Sequence, residues 1–372
     1  MAEAANNMQI LFMATGAFAV PSMRRLWECD EFEIVGLVTV PLKYTKSGKP
    51  IMTPARQFAE EIGLNVFETD NIHAPELFDF LYLARPDHLF VCDFGKILPN
   101  SLLRAPQISG VNLHGSLLPK YRGAAPVHWA ILNGDEYTGV SIIKMTTQVD
   151  AGPVIAQSPP IPIDPHETVV ELEQRLAEFG AELVLHTVHR LSGTETVKII
   201  PQFASEVSKA PKFKKEDGLI DWTRSSSAVF NHYRAMASWP RSFTDWKRSD
   251  GGVLRLIVGP VLPLDDEFHE LVPSPNFTES IYVNPVLIDA KMDNLADIQR
   301  VKTKKEQAVP QPSRRPEWWQ PGVIVEASGN RLVVAAGEGT VRILQIQPTG
   351  KRLMDAESFL RGYPIKPGDR FG

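Results

Sequence analysis

Two cysteines in 372 residues, Cys29 and Cys92, are too few and too far apart for a disulfide framework or a thiolate metal cluster. Each stands in an apolar stretch, so both are expected as free, buried thiols. Long apolar runs are lacking too, and no stretch reaches the ~18 residues that a membrane helix needs. The segment Gln9–Val20 has the look of a secretory leader, yet Glu3 stands where a leader carries positive charge, and the run breaks at Thr15-Gly16. A cytoplasmic protein is the expectation, with an organellar matrix as the alternative. Nor is there an excess of positive charge, since 39 Lys and Arg against 44 Asp and Glu leave a net charge of −5. That balance excludes a wholly basic nucleic-acid binder while leaving room for a local basic face.

What is present is enough apolar material, 43% of the chain, for two cores. Over the first ~200 residues, short β-like runs alternate with helical patterns. The runs are Ile10–Met13, Ile34–Val40, His88–Cys92, Val111–His114 and Gly139–Met145, and Pro54–Gly63 and Ala74–Ala84 are among the intervening helices. Such a βαβ rhythm predicts an α/β fold with a doubly wound, mainly parallel sheet and a site at the carboxyl ends of its strands. A long amphipathic helix is expected over Glu167–Leu191. It carries His186 and His189 at i, i+3, but no third ligand stands out, so no metal is expected.

The periodicity gives way to proline, serine and lysine at Ile200–Lys215, which divides the chain into an N-terminal domain (1–200), a linker (201–216) and a C-terminal domain (217–372). The last part has one helix pattern, Ser225–Ala237. Five short strand patterns follow, Arg241–Lys247, Val253–Val258, Gly322–Glu326, Leu332–Ala336 and Val341–Gln347. They suggest a smaller, OB-like β-barrel. Residues 264–318 are proline-rich and polar, with Lys302, Lys304, Lys305, Arg314 and Arg315, and read as an insertion into that barrel, a surface excursion.

Chemistry concentrates between residues 111 and 152. Asn112 and His114 lie two apart at the end of an apolar run and project from one face of a strand. Asp150 follows the next β-like run and reaches the same edge if the two strands are neighbours. An amide donor, a titratable ring and a carboxylate that orients it can stabilise an oxyanion and move a proton without a metal. Each residue alone is more often a turn or structural group, and it is the constellation that shifts the reading.

The segments Asn112-Leu-His114-Gly-Ser-Leu-Leu-Pro119 and Tyr121-Arg122-Gly-Ala-Ala-Pro126, with Asp150 36 residues after His114, resemble the formyltransferases that use 10-formyltetrahydrofolate. Within them the wording is closest to those acting on methionyl-tRNA. The resemblance implies a Rossmann-like catalytic domain followed by a small barrel, and formyl transfer to the α-amino group of initiator methionyl-tRNA through a tetrahedral intermediate, without metal. It makes Asn112, His114 and Asp150 catalytic. It assigns the folate to Phe94, Gly95, Lys96, Ile97 and Leu98 and to Ser116, Leu117, Leu118 and Pro119. Contact with tRNA falls to Lys43, Lys46 and Lys49, to Arg122, to Lys209, Lys212, Lys214 and Lys215 at the linker, and to Lys351 and Arg352. A monomer is expected.

The chain departs from the family wording in three places. Ala17 replaces an acidic residue of the first-strand motif, the loop 41–49 carries lysines where arginine is usual, and Asp93-Phe94-Gly95 stands for Ala-Tyr-Gly. An amino-sugar nucleotide or glycinamide ribonucleotide as acceptor would keep the same core. A nonenzymatic RNA-binding relic would have lost part of it.

Overall fold

The computed structural model describes residues 7–105, 109–193, 197–248, 251–265, 269 and 319–372. The cationic residues of the expected insertion, Lys302, Lys304, Lys305, Arg314 and Arg315, lie outside the described residues.

One seven-stranded sheet carries the N-terminal part. Its strands are β1 (Met8–Ala14), β2 (Phe32–Thr39), β3 (Val66–Glu68), β4 (His88–Cys92), β5 (Ser109–His114), β6 (Ser141–Lys144) and β7 (Val154–Gln157), in the order β7-β6-β5-β4-β1-β2-β3. The five from β3 to β5 are parallel, whereas β6 runs antiparallel to β5 and β7 antiparallel to β6. The near-continuous apolar runs of β1 and β4 follow from burial on both faces: Ile10 to Ala14 are wholly buried, as are all five residues of β4. The covering helices include α1 (Val20–Trp27), α2 (Pro54–Glu61), α3 (Pro75–Ala84) and α4 (Pro126–Asn133), each with proline in its first turn, where the missing N–H costs nothing.

The long helix, α5 (Val169–Ser192), starts two residues later than its periodicity predicts because Thr168 and Glu171 form a capping box ahead of it. Gly180 brings α5 close to β5, since a Cβ there would stand 2.7 Å from the Leu113 side chain. From β1 the chain winds outward to β2 and β3, then returns to the other side of β1 as β4. The direction of winding therefore reverses between β1 and β4, and a crevice opens above their carboxyl ends, where open α/β sheets bind ligands.

After α6 (Ser226–Ala235), the C-terminal part is antiparallel, as its alternating pattern predicts. It has eight strands among the described residues rather than five: β8 (Phe243–Lys247), β9 (Val253–Val258), β10 (Val261–Leu264), β11 (Ile324–Ser328), β12 (Arg331–Ala335), β13 (Thr340–Ile343), β14 (Gln345–Pro348) and β15 (Met354–Asp355). They make two four-stranded sheets, β8-β9-β14-β15 and β10-β13-β12-β11. The single run Val341–Gln347 is split at Leu344, where the chain leaves one sheet for the other and the buried positions change phase, from Val341 and Ile343 to Ile346 and Pro348. Trp222, Leu256, Ile324, Leu332, Ile343 and Phe371 fill the core between the sheets together with Phe359 of α7 (Ala356–Gly362).

Residues 201–213 lie along the catalytic domain as a strap. Lys209 bridges to Arg122 in parallel, the Arg122 N–H donates to the Ser208 carbonyl at 2.9 Å, and the Ala210 N–H donates to the Arg122 carbonyl at 2.7 Å. Further along, Phe213 stacks on Trp129 of α4 with ring centroids 5.0 Å apart.

Candidate active site

A cavity of about 610 Å³ opens at the carboxyl ends of β1, β4 and β5. Asn112, His114 and Asp150 all line it. Asn112 and His114 share a face of β5 because strand side chains alternate. β6 runs antiparallel to β5 and ends with Lys144 opposite Val111, and the loop that follows turns back to set Asp150 beside His114.

His114 is buried, and its Nε2 lies 2.9 Å from the Tyr121 carbonyl oxygen. A carbonyl only accepts, so Nε2 carries a proton and Nδ1 is the nitrogen turned toward Asp150. The Asp150 Oδ2 lies 3.6 Å from Nδ1, an ion-pair separation rather than a hydrogen bond. The same carboxylate oxygen accepts the Gly123 N–H at 2.9 Å. The ring is therefore held by the 121 loop and the carboxylate by its neighbour Gly123, so the loop 121–123 orients both.

Phe94, Gly95, Lys96, Ile97 and Leu98 line the cavity wall after β4, and Lys96 donates to the Asp70 carbonyl. Ser116, Leu117, Leu118 and Pro119 do not line it. Ser116 Oγ instead donates to the Lys120 carbonyl at 2.6 Å, and the Leu118 N–H donates to Ser141 Oγ at 3.0 Å. Gln157 closes this network, donating to the Leu118 carbonyl at 2.7 Å. The four residues after Gly115 thus shape the loop behind the site.

Three further ionisable groups lie at or beside the cavity, and none of them has a role in the sequence reading. Asp93 ends β4 in a left-handed conformation (φ 49°), which aspartate tolerates better than most residues. Its carboxyl lies against Gly16 at the end of β1, where a Cβ would stand 1.5 Å from Oδ2. The residue is open to the cavity, yet the protein around it raises its carboxyl to about 6 through burial. Glu173 of α5 is raised to about 7, by burial first and by the Asp93 charge second. His128 Nδ1 lies 3.5 Å from Glu173 Oε1, but burial pushes His128 down to about 4, so near neutral pH this contact joins a neutral imidazole to a carboxyl and is not an ion pair. The sequence signal for Asp93 was its departure from the Ala-Tyr-Gly wording, whereas Glu173 and His128 carried none.

The cationic residues lie apart from the cavity. Lys43, Lys46 and Lys49 are exposed on a small hairpin pairing Lys43–Tyr44 with Pro50–Ile51, Lys209 and Lys212 are exposed along the strap, and Lys214 and Lys215 are exposed just beyond its end. Lys351 and Arg352 are exposed at the end of β14. Arg122 differs from them, for its Nε donates to Gln202 Oε1 at 2.9 Å within the strap.

Cys92 is buried, but Cys29 is only partly so, because it stands in the turn between α1 and β2. Its thiol, a Glu31 oxygen and a His189 nitrogen lie within 4.8 Å of one another, an arrangement invisible in the i, i+3 spacing of the two histidines and outside the cavity lining. No helix among the described residues is long and apolar enough to cross a membrane.

Comparison with known proteins bears on the fold and the family. The profile of the family described as formyl transferase matches residues 8–188, and that of the formyl transferase C-terminal domain matches 212–364. The methionyl-tRNA formyltransferase of Caldicellulosiruptor saccharolyticus is 32% identical over 97% of this chain and 99% of its own, and that of Moorella thermoacetica is 31% identical over 98% and 99%. Among solved structures, HypX from Aquifex aeolicus in complex with tetrahydrofolic acid superposes with a TM-score of 0.54 at 15% identity, covering 95% of this chain. This chain spans 47% of that protein. WlaRD, a sugar 3N-formyltransferase, gives 0.52 at 15% identity over 93% of this chain and 99% of its own. Those two likenesses show a shared fold, and the near-full-length identity to the former two enzymes shows the family: the chain belongs to the methionyl-tRNA formyltransferases.

Proposed function

We propose that the protein transfers the formyl group of 10-formyltetrahydrofolate to the α-amino group of initiator methionyl-tRNA, with Asn112, His114 and Asp150 carrying the step. The observation that bears most weight is the convergence of these three side chains on the cavity walled by Phe94 to Leu98. Its volume suits a folate head group, falling within the ~300 to 1,000 Å³ of small-molecule sites. When bound, the folate supplies the one-carbon unit, already at the oxidation level of the product. An α-amino group with a pKa near ~7.7 is partly neutral at physiological pH, so the chain must position it more than deprotonate it.

Asn112 donates a hydrogen bond to the formyl oxygen as that oxygen gains negative charge, and His114 adds a second polar contact beside it. Asp150 sets its charge next to the imidazole and helps a water carry the proton from the attacking amine to the departing nitrogen. Exposed lysines of the hairpin, strap and barrel supply the positive surface for the acceptor, which a net charge of −5 does not provide globally.

An acceptor assay with formyl-labelled donor tests this reading. Charged initiator tRNA should be formylated far faster than charged elongator tRNA or free amines. Equal or preferred labelling of an amino sugar nucleotide or glycinamide ribonucleotide would overturn the acceptor assignment.

A further inference from the structure

We propose that Gln202, on the strap between the two domains, is a positioning residue for the catalytic carboxylate of Asp150. This rests on the role given to Asp150 above. The Gln202 side chain directs both ends of its amide at the loops that form the site. Its Nε2 donates to the Asp150 carbonyl at 2.8 Å and to the Gly152 carbonyl at 2.6 Å, while its Oε1 accepts from Arg122 Nε at 2.9 Å. One amide thereby joins the backbone of the carboxylate-bearing loop to the loop whose Gly123 N–H holds the carboxylate itself.

Asp150 needs such support. Its φ of 49° is a left-handed conformation that an L side chain rarely adopts, and it persists only where the surroundings fix it. Gly152 anchors the far end of the loop, because a Cβ there would meet the Lys144 carbonyl oxygen at 1.7 Å. Between that anchor and the 121–123 loop, Gln202 is the side chain that fixes the Asp150 carbonyl. The rest of the strap holds the opposite loop in register: Ser208 Oγ accepts the Tyr121 N–H at 2.8 Å, and the Tyr121 carbonyl is the partner of His114 Nε2. Gln202 does not line the cavity, so it acts through Asp150 and not on the substrate. The consequence is a catalytic geometry that depends on the segment leading into the C-terminal domain, although none of that domain's described residues lines the cavity wall.

Gln202→Met tests the proposal, since it keeps the length of the side chain and removes both donors and the acceptor. Displacing a catalytic group by about 1 Å costs up to about 10²-fold in rate, so a 10- to 100-fold fall in kcat is expected, with KM for folate and for tRNA within about threefold of wild type. The decisive measurement is the same substitution in an Asp150→Asn background, where it should cost less than about threefold because the group it positions is already gone. An unchanged kcat for Gln202→Met, or an equal loss in both backgrounds, overturns the proposal. Should the methionine variant not fold, Gln202→Glu, which keeps an oxygen toward Arg122 and removes the donors, gives the same comparison. Wild-type turnover by Asp150→Asn alone would instead remove Asp150 from the mechanism, an outcome distinct from failure of the Gln202 assignment.

Discussion

At the His114–Asp150 end of the cavity the polar groups are tied down by neighbouring loops, whereas at the Asp93–Glu173 end two carboxyls share a partly dry space that raises both above their ordinary values. The first end is preorganised: its dipoles are in place before any substrate arrives, as the proposed stabilisation of a developing oxyanion requires. The second end is a titrating surface. Its charge changes near neutral pH because burial disfavours the carboxylate form. The groups proposed to carry the chemistry are thus held in place, while two carboxyls of the same cavity respond to protonation.

The comparison breaks most decisively if the ordered end proves dispensable. Asp150→Asn should lower kcat by roughly 10² to 10⁴, and Asn112→Ala by roughly 10² to 10³ with folate affinity nearly intact. Single-turnover kinetics and folate titration separate these effects, and a loss confined to folate affinity would move Asn112 from catalysis to binding.

Next in size is the cost of prising the strap from the loop it holds. Gly123 has φ 132°, and a Cβ there would stand 2.3 Å from the Ala210 carbonyl oxygen. Gly123→Ala should therefore destabilise the protein by about 2 kcal/mol or more in urea unfolding and lower kcat as well, from combined backbone strain and overpacking. A variant as stable and active as wild type would mean that the strap yields freely.

The outer face of the same strap offers a milder contrast. Neutralising Lys212, Lys214 and Lys215 should raise KM for tRNA several-fold while KM for folate stays put. The salt slope of tRNA binding should fall by about one unit or less for each lysine that meets a phosphate. Unchanged tRNA binding across a salt series would place the acceptor on another surface.

The smallest effect sharpens the titrating end. A carboxyl whose folded value lies above its unfolded one favours the folded state while protonated, so Glu173 contributes stability that is present at acid pH and lost as pH rises through about 7. His128 acts in the opposite sense, since its value is pushed down to about 4 and the stability it confers near neutrality is lost as pH falls from about 6.5 toward that value. Glu173→Gln should therefore raise Tm slightly at pH 8, by about 2 °C or less for a chain of this size, and leave it unchanged at pH 5. Equal gains at both values would show that packing rather than charge is responsible.

Much of this was legible in the residues alone. Period-2 and period-3.6 patterns located the long strands and helices of the catalytic domain, because those elements bury one face or both and the burial dictates the composition. Short elements such as β3, β7 and β15 escaped, since a run of two to four residues carries little periodicity, and the break at Leu344 is marked only by a one-residue shift in the phase of the alternation. Asn112 and His114 were readable because the wording of one motif carries them, and Asp150 because of its spacing beyond the next β-like run.

By itself, the sequence determined the family, the order of the domains and the three polar side chains proposed to carry the chemistry, since these depend on local pattern and residue type. Tertiary structure decided what surrounds them. It set Asp93 against Gly16 across the crevice, brought Glu173 from α5 to the same cavity, and laid Gln202 over Asp150 from 52 residues away along the chain. Such contacts join residues distant in sequence whose own neighbours give no sign of the meeting, and only the closing of the sheet and the path of the strap bring them together.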